Sequence, residues 1–369
     1  MKSAKFGVAE HSKTKIKNVN KNVLLTGAGF SKCFGGFLGT DMHHRLYNIA
    51  CHKKIKALRH PLRETMNYEK VFGDLLSKGG IADDVKTQVR EAVRGLYAEL
   101  DHAFMRFGLR RETALRIFLE YFKAKDDELG FVFTLNQDLL LERWWKGTPD
   151  FSMPGLRRAN GQRVFLSGSE RMEGANFSRE NDKQTNILPS QDGWKKMDLL
   201  EECSPLTYIK LHGSMNFVSS IHGKEVMVIG TEKSLQISQE PLLKYGYAPL
   251  FRDVLCSGDV RLFVVGYGFQ DQNINLVLNE ALKSYGLRLF LMDPTRHLVD
   301  YVASIDEGLK NEEKLLPGFD RLGQRHLIHS LDGYFPYHLH DDLFPDSQQT
   351  DFPQWREIQY RYFECNITP

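Results

Sequence analysis

No stretch of this 369-residue sequence approaches the roughly 18 consecutive apolar residues that a membrane-spanning helix needs. The chain also lacks a CxxC pair. Its five cysteines, Cys33, Cys51, Cys203, Cys256 and Cys365, are odd in number and widely scattered. That argues against a cysteine-built zinc site and fits a reducing, cytoplasmic setting. Charge of one sign is equally scarce. With 49 Lys and Arg against 47 Asp and Glu, no dominant field exists to draw nucleic acid or a membrane surface. A GxxxxGK[ST] string is missing, which argues against a P-loop NTPase. Residues 1–21 carry lysines but not the apolar centre of a secretion signal, and are expected to form a flexible basic arm.

What is present reads as an ordinary globular chain. A hydrophobic share of 41% and a charged share of 26% are enough to build and solvate a core, and the length suits one large or two modest domains. Five short β-branched or aromatic runs stand out as strands: NVLLT at 22–26, FVFT at 131–134, YIKL at 208–211, RLFVVG at 261–266 and RLFLMD at 288–293. Between the first two, Val85, Val89, Val93, Leu96, Leu100, Ala103 and Phe107 recur at helical spacing, and a second helix is expected over 112–123. Alternation of this kind predicts an α/β fold: a Rossmann-like, mostly parallel sheet with helices on both faces, plus a helical insertion module at about 62–125.

Residues 147–205, rich in Gly, Ser, Asn, Arg and Glu, read as a polar insert or lid over the sheet's edge. The segment 301–369 carries many aromatics, among them Tyr334, Phe335, Trp355 and Tyr360. It is expected to pack on the core or on a neighbouring subunit.

In an open parallel sheet, ligands bind beyond the carboxyl ends of the strands, and four such ends carry unusual residues. The first is Gly27-Ala28-Gly29-Phe30-Ser31, where glycines allow a phosphate close to the backbone. The third glycine of GxGxxG is replaced by Lys32, and a plain strand-to-helix turn is the alternative. The second is Asn136-Gln137-Asp138, where Asp138 could serve only as a helix cap. The third is Leu211-His212-Gly213-Ser214, and the fourth Gly266-Tyr267-Gly268-Phe269.

In their order, TGAGFS at 26–31, TLNQD at 134–138, KLHGS at 210–214 and FVVGYGF at 263–269, these motifs resemble those of the sirtuin family. The resemblance spans about residues 22–293 and implies an NAD-binding domain over 22–300. Under it, Gly27, Ala28, Gly29, Phe30 and Ser31 hold the NAD pyrophosphate. Asn136 and Asp138 line the nicotinamide pocket, and His212 faces the nicotinamide ribose. Gly266 and Tyr267 lie against the phosphates or the adenosine ribose, with Asp293 near the adenosine end. The implied reaction breaks the nicotinamide–ribose bond through an oxocarbenium-like state.

Two departures redirect that reading. Only Cys256 falls in 213–260, so the four-cysteine zinc module of protein deacylases is absent and no zinc is expected. The 147–205 insert also lengthens the spacing between the second and third motifs. Both disfavour an acyl-lysine groove and point to the sirtuin-like NAD hydrolases of prokaryotic anti-phage defence, in which water attacks NAD. With no second domain to sense infection, activity is expected to depend on assembly, as a homo-oligomer or with a HerA-type hexameric ATPase.

Three alternatives stay open: an NAD or ADP-ribose sensor without turnover, a protein lysine deacylase, and a metal-dependent nuclease. The last starts from Tyr337-His338-Leu339-His340-Asp341-Asp342, with His326 and His329 nearby. A polar surface loop is the plainer account of that string. His43-His44 lacks the i, i+4 spacing of helical metal ligands and is expected on a helix surface.

Overall fold

A computed structural model of the chain describes residues 19–77, 80–107, 112–125, 128–145, 151–166, 185–230, 232–293 and 315–335. In chain order these form β1 (Val19–Thr26), α1 (Ala28–Lys32), α2 (Gly39–His52), α3 (Lys56–Glu64), α4 (Tyr68–Ser77), α5 (Asp83–Phe107) and α6 (Glu112–Glu120). Then come β2 (Leu129–Thr134), α7 (Leu140–Trp144), β3 (Phe151–Arg157), β4 (Arg163–Leu166), β5 (Asn186–Leu188) and α8 (Gln191–Lys195). The chain continues with β6 (Thr207–Lys210), β7 (Gly213–Ser219), β8 (Glu225–Met227), α9 (Lys233–Ser238) and α10 (Ala248–Leu255). It closes with β9 (Arg261–Val265), α11 (Gln272–Ser284), β10 (Arg288–Met292), α12 (Arg321–His329) and β11 (Leu331–Phe335).

The strands join one mixed, mostly parallel sheet in the order β11-β10-β9-β1-β2-β6-β3-β5-β7-β8, with β4 paired to β3. All five strands read from the sequence are there, each within three residues of its expected ends. They lie side by side as β10-β9-β1-β2-β6, and every pairing among them is parallel. Their apolar runs are buried across their whole width, as a sheet covered on both faces requires. Phe122, just past α6, meets Phe263 of β9 edge-on at 5.4 Å, while Phe251 of α10 meets Phe133 of β2 at 5.0 Å. Phe263 and Phe133 occupy neighbouring rows of the sheet, which point to opposite faces.

Five helices fill residues 39–120, so the helical stretch starts well before position 62. In α5 the stripe Val89, Val93, Leu96 and Leu100 is buried, as its spacing predicts. Packing of α2 against α3 and α5 buries His43 at 3% exposure, so only His44 lies on the surface. The sequence expectation for His43 is thus corrected: a helix held on two sides has too little open surface for both rings. The described parts of 147–205 extend the sheet as β3, β4 and β5, anchored by buried Phe151, Met153, Leu156 and Val164. β1 begins at Val19, inside the span read as an arm, and residues 1–18 lie outside the described residues. Of the C-terminal segment, α12 packs on α11 and β11 pairs with β10.

The tightest backbone contact lies between the ends of β1 and β9. Gly27 N–H donates to Val265 O and Gly29 N–H to Gly266 O, both at 3.0 Å. A Cβ on Gly29 would fall 2.6 Å from Gly266 Cα, and one on Gly266 would fall 2.3 Å from Phe30 N. Gly266 also has a φ of +64°, a region costly for side-chain-bearing residues. Gly266→Ala is therefore expected to lower unfolding free energy by about 2 kcal/mol or more. Gly95→Ala, in the open interior of α5, is expected to raise it by about 0.5–1 kcal/mol. Urea denaturation of both variants checks the contrast, and equal effects would refute it.

Candidate functional site

One row of the sheet sets the geometry. Met292, Val265, Thr26, Thr134 and Lys210 are mutual register partners across β10, β9, β1, β2 and β6. Each segment singled out in the sequence begins within two residues beyond that row, at the carboxyl end of its strand: Asp293, Gly266, Gly27, Asn136 and His212. Asn136 and His212 stand at equivalent positions past the adjacent strands β2 and β6. The chain runs outward from β1 through β2 to β6 and later returns to β9 on the other side of β1. In open α/β sheets, the crevice beside such a reversal is where ligands bind.

Asn136 is locked by its amide nitrogen, which donates to Gly27 O at 2.9 Å and to Ser31 Oγ at 2.8 Å. A backbone carbonyl only accepts, so it fixes which end of the amide faces it. Asn136 Oδ1 therefore points away from the turn and has no partner among the described residues. Ser31 in turn donates to Asp138 Oδ2 at 2.6 Å, and Asp138 Oδ1 accepts from Leu140 N–H at 3.1 Å. Both Asp138 oxygens are thus engaged, and the residue is 6% exposed. Burial pushes its carboxyl above the ordinary range, against the pull of Lys210 and of the Ser31 hydroxyl. Asp138 acts as a buried anchor that also accepts from the first N–H of α7, one residue before the helix cap at Leu139. Ser31 is the link that passes this anchoring to Asn136.

Gln137 turns the other way. Its side chain accepts from Tyr97 of α5 and donates to Val228 O at 2.7 Å. Arg143 of α7 forms a buried ion pair with Asp101, also of α5. α5 therefore clamps the segment after β2 at two points, on either side of Asp138. Beneath it, Lys210 donates to Asp138 O and to Glu142 Oε1, the latter at 2.7 Å, with both side chains essentially excluded from solvent. Burial pushes the Glu142 carboxyl up, and Lys210 opposes that rise.

His212 is 3% exposed. Its Nε2 lies 3.2 Å from Asp271 Oδ2, without the alignment of a hydrogen bond. Lys233 Nζ approaches the same oxygen at 3.3 Å and Glu69 at 3.2 Å. Burial alone would raise the Asp271 carboxyl, but His212 and then Lys233 outweigh it and hold the group well below the carboxylate range. Asp271 also caps α11, its Oδ1 accepting from Asn273 and Ile274 N–H. Sequence reading missed Asp271, Lys233, Glu69 and Lys210. Two had a signal: Lys210 is the charged residue in an otherwise apolar strand, and Asp271 stands one residue before a helix. Lys233 and Glu69 come from separate helices and carry none.

The glycine turn has a structural reason of its own. The N–H groups of Gly27, Gly29 and Phe30 are committed to Val265, Gly266 and Gly27 carbonyls, so close approach to β9 accounts for the glycines. Ala28 is exposed at the start of α1, whereas Phe30 is buried beside Phe34. Tyr267 gives its hydroxyl to Asn275 Oδ1 at 2.9 Å, and Asp293 O accepts from Tyr334 at 2.9 Å. Phe269, buried, has a φ of +54°, a conformation bulky residues rarely hold.

Among the described residues no cluster of three His, Cys, Asp or Glu is placed to hold a metal ion. None of their helices is long and apolar enough to cross a membrane. The Tyr337–Asp342 string lies outside the described residues, while His326 and His329 are on α12. No family model matches the chain, and no curated protein matches it.

The arrangement offers a fixed amide acceptor and an imidazole backed by an ionised carboxylate, beyond the carboxyl ends of adjacent strands. Its buried charges yield a stability test. Lys210→Met leaves Glu142 buried and uncompensated and is expected to cost about 3–5 kcal/mol. Adding Glu142→Leu should recover much of that loss in urea denaturation. A single substitution costing no more than a surface one would contradict this role.

Proposed function

We propose that the chain is an NAD glycohydrolase of the sirtuin-like type, cleaving NAD to nicotinamide and ADP-ribose. The single observation that supports this reading is the register equivalence of Asn136 and His212 beyond adjacent parallel strands, in a sheet whose strand order reverses at β1. In this reading residues 22–300 form a Rossmann-like NAD-binding domain, with the helices of about 62–125 as an inserted module. The pyrophosphate lies over the Gly27–Ser31 turn and the Gly266–Tyr267 loop, and the adenosine end lies near Asp293.

Water attacks the ribose carbon that bears nicotinamide as that bond breaks, and nicotinamide leaves with the bonding electrons. Asn136 Oδ1 accepts a hydrogen from the water and so orients its lone pair. Its own amide is already fixed by Gly27 and Ser31, so no reorganisation is needed at the moment of reaction. His212 takes a proton from a ribose hydroxyl, and the attacking water gives its second proton to that ribose oxygen as its own bond to carbon forms. His212 then releases its proton to solvent, so that NAD and water yield nicotinamide, ADP-ribose and one proton. Asp138 supports Asn136 through Ser31. The fuller proposal is an NAD-depleting effector of cytoplasmic anti-phage defence, held silent until it assembles with itself or with a HerA-type ATPase.

Nicotinamide release, measured for the chain alone and with its genomic neighbour's product, tests the reading. Asn136→Ala and His212→Ala are each expected to lower turnover at least ~10²-fold, with assembly and thermal melting close to wild type. Cleavage is expected to persist in EDTA, unlike that of a metal-dependent nuclease. Unchanged turnover in either variant would overturn the assignment. Intact NAD after prolonged incubation with the full assembly would favour the sensor.

A further inference from the structure

We infer that Asp271 is the positioning residue for His212, setting which ring nitrogen carries the proton and which meets the substrate. The inference rests on the NAD reading only for the identity of that substrate. Three observations support it. The Asp271 carboxylate, 5% exposed, stands 3.2 Å from the Nε2 of a ring that is itself 4% exposed. Neither atom has an aligned hydrogen bond among the described residues, yet the two buried polar atoms face each other at ion-pair distance, with Lys233 on the same carboxylate oxygen. Loose alignment of this kind is common in unliganded sites and tightens when substrate arrives. Thirdly, the carboxylate is anchored from behind, because its other oxygen caps α11 through Asn273 and Ile274 N–H.

A carboxylate accepts hydrogen bonds and cannot donate them. Facing Nε2, Asp271 favours the tautomer with the proton on Nε2, and Nδ1 keeps its lone pair. Nδ1 then takes the ribose hydroxyl proton. The ring becomes an imidazolium whose Nε2–H points at Asp271; the attacking water's second proton restores the ribose hydroxyl, and the proton on Nδ1 leaves to solvent when product departs. Asp271 itself is never protonated, and no electron pair moves on it. Lys233 Nζ, 3.3 Å from the same oxygen, and Glu69, 3.2 Å from Lys233, are the other charged groups facing this pair. They extend it into the line Glu69–Lys233–Asp271–His212, drawn from α4, α9, the cap of α11 and the end of β6. The helical segment and the sheet thus both reach the imidazole.

Asp271→Asn and Asp271→Ser test the inference, since each keeps a helix-capping oxygen and removes the charge. Two readouts are taken on the full chain in its active assembly. The first is the ring ¹⁵N spectrum of histidine-labelled protein, at a pH where the rings are neutral, with His212 assigned by difference from His212→Gln. Wild type is expected to show His212 as the Nε2–H tautomer, and both variants a shift toward Nδ1–H or a mixture. The second is nicotinamide release, assayed well below the melting temperature of each variant. Both are expected to lose ~10²–10⁴-fold in kcat with KM little changed, while melting falls only by what loss of the Lys233 ion pair accounts for.

A wild-type His212 signature in both variants overturns the inference, whether or not NAD is cleaved. So does a fall in activity that only tracks a fall in melting temperature. If wild type releases no nicotinamide in any assembly but the tautomer shifts in the variants, Asp271 still positions the ring. The NAD reading then fails separately.

Discussion

Two backbones approach so closely at the ends of β1 and β9 that neither glycine can carry a side chain. Gly29 N–H reaches Gly266 O at 3.0 Å, and a Cβ on Gly266 would overlap the next turn of chain. Everything at the crevice depends on this contact. It brings the turn after β1 against the loop after β9, and Gly27 O then serves as the acceptor that fixes the Asn136 amide. From Asn136 the ordering continues through Ser31 to Asp138 and down to Lys210. A side chain at either glycine would push the two strand ends apart and release the whole series.

The charges around the crevice follow two different rules. Lys210 and Glu142 are sealed from solvent, where a pair contributes little net stability but either partner alone is costly. They fix the carbonyl of Asp138 and thus the path of the chain after β2. Asp271 differs in kind. It is held ionised by His212 and Lys233 against its burial, and one of its oxygens is left without an aligned donor. An ionised carboxylate beside an imidazole is a combination that proton transfer uses and that packing alone does not need.

The sheet was legible in the sequence because buried parallel strands leave short continuous apolar runs, and NVLLT, FVFT, YIKL, RLFVVG and RLFLMD all lie at the centre of it. The α5 stripe was legible for the matching reason, its 3.6-residue period. The edges were not. β3 is buried along most of its length, but its Ser, Pro and Gly break the apolar run. β4 alternates exposed and buried positions over only four residues, and Asn186–Leu188 is too short for periodicity to show. Site residues divide in the same way. Strand ends could be read locally, and so could Asn136 and His212. The partners of Ser31 and Asp138 could not, because they are set by a hydrogen bond across 107 positions. Nor could the line from Glu69 to His212, which four separate elements assemble.

A structure of the full chain with bound ADP-ribose tests the central claim most directly, because ADP-ribose is the product of the proposed cleavage and would bind without being turned over. The account predicts the free ribose beyond the carboxyl ends of β2 and β6, within reach of Asn136 Oδ1 and the His212 ring, with the pyrophosphate over the Gly27–Ser31 turn. ADP-ribose bound away from these two side chains, or no binding at millimolar concentration, would contradict it.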